Sequence, residues 1–110
     1  MRRSKFQLGY EFTIPELPGV YVISKKLTDE ILYVGKTTNL RRRFGRHLKK
    51  THNFRFNKFM SQTTDELTFR YCIAISDSEL RDTERNYIRS LNPLFNDIRY
   101  TQHEGGIFNG

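Results

Sequence analysis

Glu84 is the residue whose type fits its surroundings least well. Positions 80, 84, 87, 88 and 91 have the spacing of one helical stripe, and the other four are Leu80, Tyr87, Ile88 and Leu91. A carboxylate in a buried apolar stripe is costly unless it is paired or binds a cation. One carboxylate, completed by waters and substrate phosphates, is a usual way to hold Mg²⁺. Glu84 is therefore a candidate metal ligand, and the alternatives are the edge of the stripe or a pair with an arginine.

A second candidate group is the basic segment at the start of a predicted helix. The run Gly35 to Arg43 lacks the GxxxxGK(S/T) spacing of a nucleotide-binding loop. Its arginines open a helix, where they oppose the helix dipole, and a bound phosphate backbone would relieve that conflict. Arg43 and His47 lie four residues apart and share one helical face. A solvated basic face is the alternative, but we expect nucleic acid to contact four other residues: Arg41, Arg42, Arg46 and Lys49.

The charge distribution favours a polyanionic partner. The chain has 19 Lys and Arg against 12 Asp and Glu, a net charge of +7. Residues 1–60 contain 14 basic and 4 acidic side chains (net +10), whereas residues 61–110 contain 5 and 8 (net −3). Such asymmetry is typical of a surface that contacts nucleic acid, although a basic surface also serves solubility alone.

Composition argues against several other classes of protein. No apolar run approaches the roughly 18 residues that span a bilayer, and no apolar stretch of a secretory signal follows the basic first five residues. The single cysteine, Cys72, allows no internal disulfide and no Cys-rich zinc site. We therefore expect an intracellular, cytoplasmic protein with no membrane contact.

A predicted β-hairpin brings two tyrosines together. The β-branched and aromatic runs Gly19–Ser24 and Ile31–Gly35 flank a polar loop, which predicts two adjacent strands. With the loop centred near Leu27, Tyr21 and Tyr33 lie directly opposite each other, with Cβ atoms about 5 Å apart. A slip of one residue would place them on opposite faces of the sheet.

The remaining elements predict a small α+β domain. A helix begins near Leu40, a second short helix covers about residues 53–62, a strand covers 67–75, and a last helix begins at a Ser76 or Asp77 cap. An Asn-Pro pair at positions 92–93 ends that helix.

The two ends of the chain have different patterns. Even positions from Phe6 to Ile14 are apolar, which predicts an extended strand, and two prolines then separate it from the hairpin. We divide the chain into an N-terminal arm or extra strand (1–17), a main domain (18–96) and a loosely held, glycine-containing tail (97–110).

With these residues in place, the chain resembles the GIY-YIG nuclease family. Gly19-Val20-Tyr21 is similar to the first motif and Tyr33-Val34-Gly35 to the second, with the usual eleven residues between them and valine in place of each central isoleucine. Four more positions match the family in order: the helix arginine at Arg43, a histidine or tyrosine position at His47, the metal-binding glutamate at Glu84 and the asparagine that closes the domain at Asn96. The resemblance covers about residues 18–96.

The resemblance implies a fold and a reaction. The fold is α+β, a small three-stranded antiparallel sheet flanked by helices, to which we add an extra N-terminal edge strand as an option. The reaction is Mg²⁺-dependent hydrolysis of DNA phosphodiester bonds, with Mn²⁺ able to replace Mg²⁺. A homodimer would suit double-strand cuts, since one site cuts one strand at a time, and we assume a phage or mobile-element origin. The alternative function is a catalytically inactive nucleic-acid-binding module that uses the basic face.

The resemblance also implies a role for each matching residue. Glu84 would hold the metal ion, and Arg43 would stabilise charge on the phosphate. Tyr21 would act as a general base toward water or position it, with its pKa lowered by Lys36, which follows the second motif. Asn96 is grouped with the basic residues as a nucleic-acid contact. Two residues would orient water and phosphate or relay the proton: Tyr33 and His47.

Overall fold

In the part of the chain that the structure describes, one antiparallel sheet of four strands forms the centre. The computed structural model describes residues 1–49, 51 and 53–96. Its strands lie in the order β1-β4-β2-β3. Their bounds are Arg2–Lys5 for β1, Gly19–Lys25 for β2, Ile31–Thr37 for β3 and Leu67–Ile73 for β4. The predicted α+β class is confirmed, and the optional N-terminal strand is present as the edge strand β1.

Within the described residues, three helices cover the two faces of this sheet. They are α1 (Leu40–Lys49), α2 (Phe54–Gln62) and α3 (Asp77–Leu91). The Asn53 side chain caps α2 by accepting the Phe56 N–H, and Ser76 caps α3 by accepting the Glu79 N–H. These local signals are the reason that the helix limits could be predicted closely.

Two apolar clusters divide the core because β2 is buried on both faces. Residues of α1 and α2 form the first cluster with one face of the sheet; its largest side chains are Tyr21, Phe44, Phe56 and Phe69. Residues of α3 form the second cluster with the other face: Val20, Val22, Val34, Leu80 and Ile88. The molecule therefore has three layers, with α1 and α2 on one side of the sheet and α3 on the other.

The N-terminal segment differs from the prediction. The strand expected at Phe6–Ile14 is wrong, because the strand lies earlier, at β1, and pairs with β4. Phe6 and Ile14 are both buried in the core. Between them the chain turns at Gly9, whose φ is +100°, and forms a 3₁₀ helix at Glu11–Thr13. The apolar alternation therefore does not mark a strand: Phe6 and Ile14 are buried, and the turn between them joins them. Through these two side chains the segment packs onto the rest of the domain.

The hairpin register is also shifted from the prediction. Tyr21 pairs with Gly35 and Tyr33 pairs with Ile23, so the two tyrosines are offset along the strands. An irregularity in pairing follows Ile23, and the loop closes between Lys25 and Glu30, where the Lys25 N–H donates to the Glu30 carbonyl. The offset is two residues, which keeps both tyrosines on one face of the sheet.

The outer edge of β3 is partly covered by the chain that follows α3. The N–H groups of Leu94 and Phe95 donate to the carbonyls of Ile31 and Leu32. This segment ends the described residues, and the predicted tail at 97–110 lies outside them.

Two apolar residues that the sequence predicted to be part of buried elements are exposed. The strand predicted to reach Ile75 ends at Ile73, and Ile75 is 89% exposed. Leu91, expected in the buried stripe of α3, is 36% exposed because it lies in the last turn of the helix, where the core ends. In the part of the chain that the structure describes, no helix is long and apolar enough to cross a membrane.

Candidate active site

Tyr21 lies at the centre of the candidate site. Its side chain is fully buried, and its ring stacks on Phe69 with 5.1 Å between centroids. A Cβ at residue 35 would overlap the Tyr21 hydroxyl, and one at residue 19 would overlap the Cys72 carbonyl. Both motif glycines are therefore required by close approach of neighbouring atoms, and Gly35 in particular makes room for the tyrosine.

The Tyr21 hydroxyl is hydrogen-bonded to His47 Nε2 at 2.7 Å inside the core. Burial raises the pKa of Tyr21 well above its ordinary value, Tyr33 adds to that rise, and Arg43 lowers it through its charge and a hydrogen bond. The phenol is consequently protonated at neutral pH. Of the two roles predicted for Tyr21, base toward water or positioning residue, the raised pKa favours the second, and the role itself stays a prediction.

Tyr33 is only partly buried, unlike Tyr21. Its ring stacks on the Phe56 ring with 5.2 Å between centroids. The centroids of the His47 and Tyr21 rings lie 5.3 Å and 6.2 Å from its own. The expectation that the two tyrosines meet is confirmed, although they are not directly opposite. Of the two, Tyr33 is the one with surface available to a substrate.

Glu84 faces Lys36 across the edge of β3. Their side-chain atoms Oε1 and Nζ are 3.9 Å apart, and the Glu84 side chain is 17% exposed. Burial raises the pKa of Glu84, and the Lys36 charge lowers it only in part. The predicted influence of Lys36 on Tyr21 is not found, since Lys36 is paired with Glu84 and the basic group that lowers the Tyr21 pKa is Arg43.

The donor set around Glu84 fits a hard divalent cation. In the described chain no three His, Cys, Asp or Glu side chains come together as a metal cluster, so a site made wholly of protein ligands is not formed there. A single carboxylate whose charge is incompletely compensated is what Mg²⁺ uses when waters and phosphates supply its other ligands. The residues present therefore fit Mg²⁺ better than zinc, which needs three or four protein ligands.

A cleft between α1 and α3 adjoins this carboxylate. It is lined by Lys36, Thr37, Thr38, Arg43, Asp77, Leu80 and Arg81. Sequence reasoning missed Asp77 and Arg81. Their spacing from Glu84, i, i+4 and i+7 along one helix, was a signal that could have found them.

The basic residues predicted to bind nucleic acid occupy two kinds of position. Arg42, Arg46 and Lys49 are exposed on α1, as that role requires. Arg41 instead donates from Nε to the Ile14 carbonyl at 2.8 Å and pairs with Glu16 at 3.5 Å. Its position on the helix next to the N-terminal segment gives it a structural role that was not foreseen.

Asn96 also has a structural position. Its side chain is buried, accepts the Val34 N–H at 2.9 Å and donates to the Val34 carbonyl at 2.7 Å. Because both ends of the amide are occupied by β3, the predicted contact with nucleic acid is not supported. The residue closes the edge of the sheet beside the second motif.

These features together define a GIY-YIG nuclease domain. They are the sheet with its flanking helices, the two stacked tyrosines, the arginine on α1 and the glutamate on α3. Residues 17–98 match the GIY-YIG catalytic domain family, and the chain belongs to this family. GIY-YIG domains are metal-dependent endonucleases.

Curated relatives carry the same domain within a much longer protein. The chain is 34% identical over 83 residues to UvrABC system protein C of Pediococcus pentosaceus and 32% identical over 83 residues to that of Lactiplantibacillus plantarum. Each match covers 76% of this chain but 13% of the relative. The matched segment is thus a small part of those proteins, and a phage or mobile-element origin gains no support from them.

Solved structures show the same fold. The GIY-YIG N-terminal endonuclease domain of UvrC from Thermotoga maritima, bound to magnesium as its catalytic divalent cation, superposes with a TM-score of 0.61 at 22% identity. The match covers 79% of this chain and 91% of that domain. A point variant of the same domain superposes with a TM-score of 0.59 at 25% identity.

Proposed function

We propose that this chain is a Mg²⁺-dependent endonuclease that hydrolyses DNA phosphodiester bonds. The observation that carries the proposal is the mostly buried Glu84 carboxylate, incompletely paired by Lys36 and placed beside the cleft that Arg43 lines. Family membership and the exposed basic face of α1 make DNA the substrate that fits best. The UvrC relatives are cytoplasmic, and the proposal includes that location for this chain. Two of these domains acting together would cut both strands.

Arg43 binds and stabilises the scissile phosphate in this proposal. It lies on the cleft wall, one helical turn before His47, and its planar fork can donate two hydrogen bonds to phosphate oxygens. Charge that builds up on those oxygens in the transition state is met by donors already in place.

Glu84 would hold Mg²⁺, which when bound supplies a Lewis acid on the phosphate and the leaving oxygen. Lys36, 44% exposed at the rim, can move aside from Glu84 and contact a phosphate oxygen, because the pair is long, at 3.9 Å, and its lysine partner is partly solvated. The Glu84 carboxylate would thus exchange Lys36 for Mg²⁺ as its cationic partner, and its charge would stay compensated throughout.

Tyr33 and the buried pair Tyr21–His47 would handle the proton of the attacking water. Tyr33 has exposed surface and can contact that water, whereas Tyr21 has none. The Tyr21 hydroxyl holds His47 at 2.7 Å, which fixes the imidazole beside the Tyr33 ring. We assign Tyr33 the position next to the water: its hydroxyl would take the proton of the water as it passes its own proton to the His47 imidazole. Tyr21, which stays protonated, would hold that imidazole in place.

A plasmid cleavage assay tests the reaction. With Mg²⁺ or Mn²⁺, wild type should convert supercoiled plasmid to its nicked or linear form. The Glu84→Gln and Arg43→Ala variants should cleave about a hundredfold or more slowly. Two exposed residues of α3 provide matched controls, Asp82→Asn and Arg89→Ala, which should cleave at the wild-type rate. Undiminished cleavage by purified Glu84→Gln, or DNA binding by wild type without cleavage, would contradict the proposal.

A metal-binding assay tests Glu84 without relying on activity. Mg²⁺ at about a hundred times its dissociation constant should stabilise the wild-type fold by about 2.7 kcal/mol, and the shift in melting temperature should vanish in Glu84→Gln. An equal Mg²⁺-dependent shift in both proteins would place the ion elsewhere.

The two tyrosines can be separated by their phenylalanine variants. Tyr33→Phe should lower the cleavage rate with little change in melting temperature, because its ring still stacks on Phe56. Tyr21→Phe should lower both, since it removes a buried hydrogen bond worth about 1 kcal/mol. If Tyr33→Phe cleaves normally and only Tyr21→Phe is impaired in rate, the assignment of the water to Tyr33 is wrong.

A further inference from the structure

A groove on α1 contains features that the proposed reaction does not use. It runs between the N-terminal 3₁₀ helix and α1 and is lined by Glu11, Phe12, Arg41, Arg42, Gly45, Arg46 and Lys49. We call it the Phe12 groove. Its side chains combine an aromatic ring with four cationic groups and one carboxylate, which is a composition suited to a nucleic-acid strand.

Phe12 is unusually exposed for a residue in an ordered turn. Its side chain is 79% exposed, yet the turn that carries it is held at its C-terminal end by the buried Ile14 and by a 2.8 Å hydrogen bond between the hydroxyls of Ser4 and Thr13. The Arg41 guanidinium lies 5.7 Å from the centre of the Phe12 ring. One side of the ring is therefore backed by a cation, and the ring has surface available for stacking.

Arg41 is itself held in place. Its Nε donates to the Ile14 carbonyl at 2.8 Å and its Nη1 pairs with Glu16 at 3.5 Å. Because this guanidinium is already ordered, the Phe12 ring is presented with little conformational entropy left to lose on binding.

Gly45 on the groove floor gives an independent indication. A glycine inside a helix costs about 1 kcal/mol against alanine, and a Cβ at this position would meet no atom within 4 Å. Nothing in the packing of the described protein requires glycine there. Close approach of a ligand to the helix backbone is a reason for a glycine that the protein's own contacts do not supply.

The Phe12 groove is connected to the active-site cleft through Arg42. Arg42 lines the groove, and its Nη2 donates to the hydroxyl of Thr38, a residue that lines the cleft, at 3.5 Å. Arg43, the next residue, faces the cleft. Positive charge is thus continuous along α1, from the proposed position of the scissile phosphate to Arg46 and Lys49.

We propose that the Phe12 groove binds the DNA strand that flanks the scissile phosphate, with an unpaired base stacked on Phe12 and the backbone passing over Gly45 between Arg42 and Arg46. The proposal rests on DNA being the substrate of the adjoining cleft. It implies that the chain prefers DNA with a single-stranded arm, because a base must leave the duplex to stack on the ring.

A binding assay tests this with a splayed-arm duplex that carries 2-aminopurine in its single-stranded arm. The 110-residue chain is used with Glu84→Gln, which keeps the DNA intact. Phe12→Ala should weaken binding roughly fivefold to a hundredfold and abolish the fluorescence quenching that stacking causes, while Phe12→Tyr should restore both. Binding to fully paired duplex should change little. Phe54→Ala is the matched control, since Phe54 is 80% exposed but lies on α2, away from the groove lining.

Gly45→Ala separates binding from folding. It should raise the melting temperature and yet weaken binding to the splayed-arm duplex, which a merely structural glycine would not do. Unchanged binding in Phe12→Ala, equal losses in Phe12→Ala and Phe54→Ala, or equal losses on paired and unpaired DNA would overturn the proposal even if wild type cleaves DNA. The expected binding pattern without cleavage would support the groove and count against the proposed nuclease reaction.

Discussion

Replacing Gly35 with alanine is the sharpest test of how the site is built. Residue 35 pairs with Tyr21 across the hairpin, and an added Cβ would overlap the Tyr21 hydroxyl. Because Tyr21 is fully buried and stacked on Phe69, its ring has no free space in which to retreat. The Gly35→Ala substitution must therefore shift the tyrosine and break its hydrogen bond to His47.

The expected cost follows from those contacts. Overpacking a core by one methyl costs about 1–3 kcal/mol, and the lost buried hydrogen bond costs about 1 kcal/mol. Relief of the backbone entropy of a strand glycine returns about 0.5–1 kcal/mol. The net loss is about 2 kcal/mol, which lowers the melting temperature by about 8 °C in a domain of this size.

Thermal and urea unfolding of Gly35→Ala, together with the plasmid assay, measure both consequences. Gly45→Ala is the control, because it makes the same chemical change where the new Cβ meets nothing, and it should gain about 1 kcal/mol. We expect Gly35→Ala to lose stability and cleavage together. If it melts within about 1 °C of wild type and cleaves normally, the close approach of Tyr21 to β3 is not what positions the site.

Three further predictions concern charge and polar contacts. Burial raises the Glu84 pKa, so the ionised carboxylate destabilises the metal-free fold at pH 7, and Glu84→Gln should unfold at a higher urea concentration than wild type there. The difference in unfolding midpoint should disappear below about pH 4.5, where the carboxyl is protonated in the folded and the unfolded protein alike. A constant difference from pH 4 to 8 would contradict this. Asn96→Ala leaves the Val34 N–H and carbonyl unpaired and should cost about 2 kcal/mol or more in urea unfolding, whereas a loss under about 0.5 kcal/mol would refute its closing role. Arg41→Met removes the bond to Ile14 and should cost about 1 kcal/mol in the same assay, and an unchanged unfolding midpoint would disprove the anchor.

Local patterns were enough to predict most of the secondary structure. The helix α3 was predicted with a cap at Ser76 or Asp77, and Ser76 is the cap, because capping and apolar periodicity depend on residues close together in sequence. Glu84 was identified for the same reason, since its place among apolar neighbours is visible without a fold. The register of the hairpin was missed by two residues, because an irregularity after Ile23 leaves no clear mark in composition.

The N-terminal segment shows where such patterns fail. Alternation from Phe6 to Ile14 has the period of a strand, but only its two ends are buried, and a turn at Gly9 joins them. Which apolar residues are buried depends on what packs against them, and that is decided by β4 and α1 from distant parts of the chain. Arg41 belongs with this segment for the same reason, since its hydrogen-bond partner is 27 residues away.

The sequence by itself determined which chemical groups the site contains and their order along the chain. These are two tyrosines on one hairpin, Arg43 and His47 one helical turn apart, and the Glu84 carboxylate, which lies among apolar residues of its own helix. Only the tertiary structure decided how these groups differ in use. Burial against Phe69 keeps Tyr21 protonated and hydrogen-bonded to His47, while Tyr33 keeps exposed surface. The physical reason is that pKa and accessibility depend on the solvent that surrounding elements remove, and those elements meet only in the folded chain.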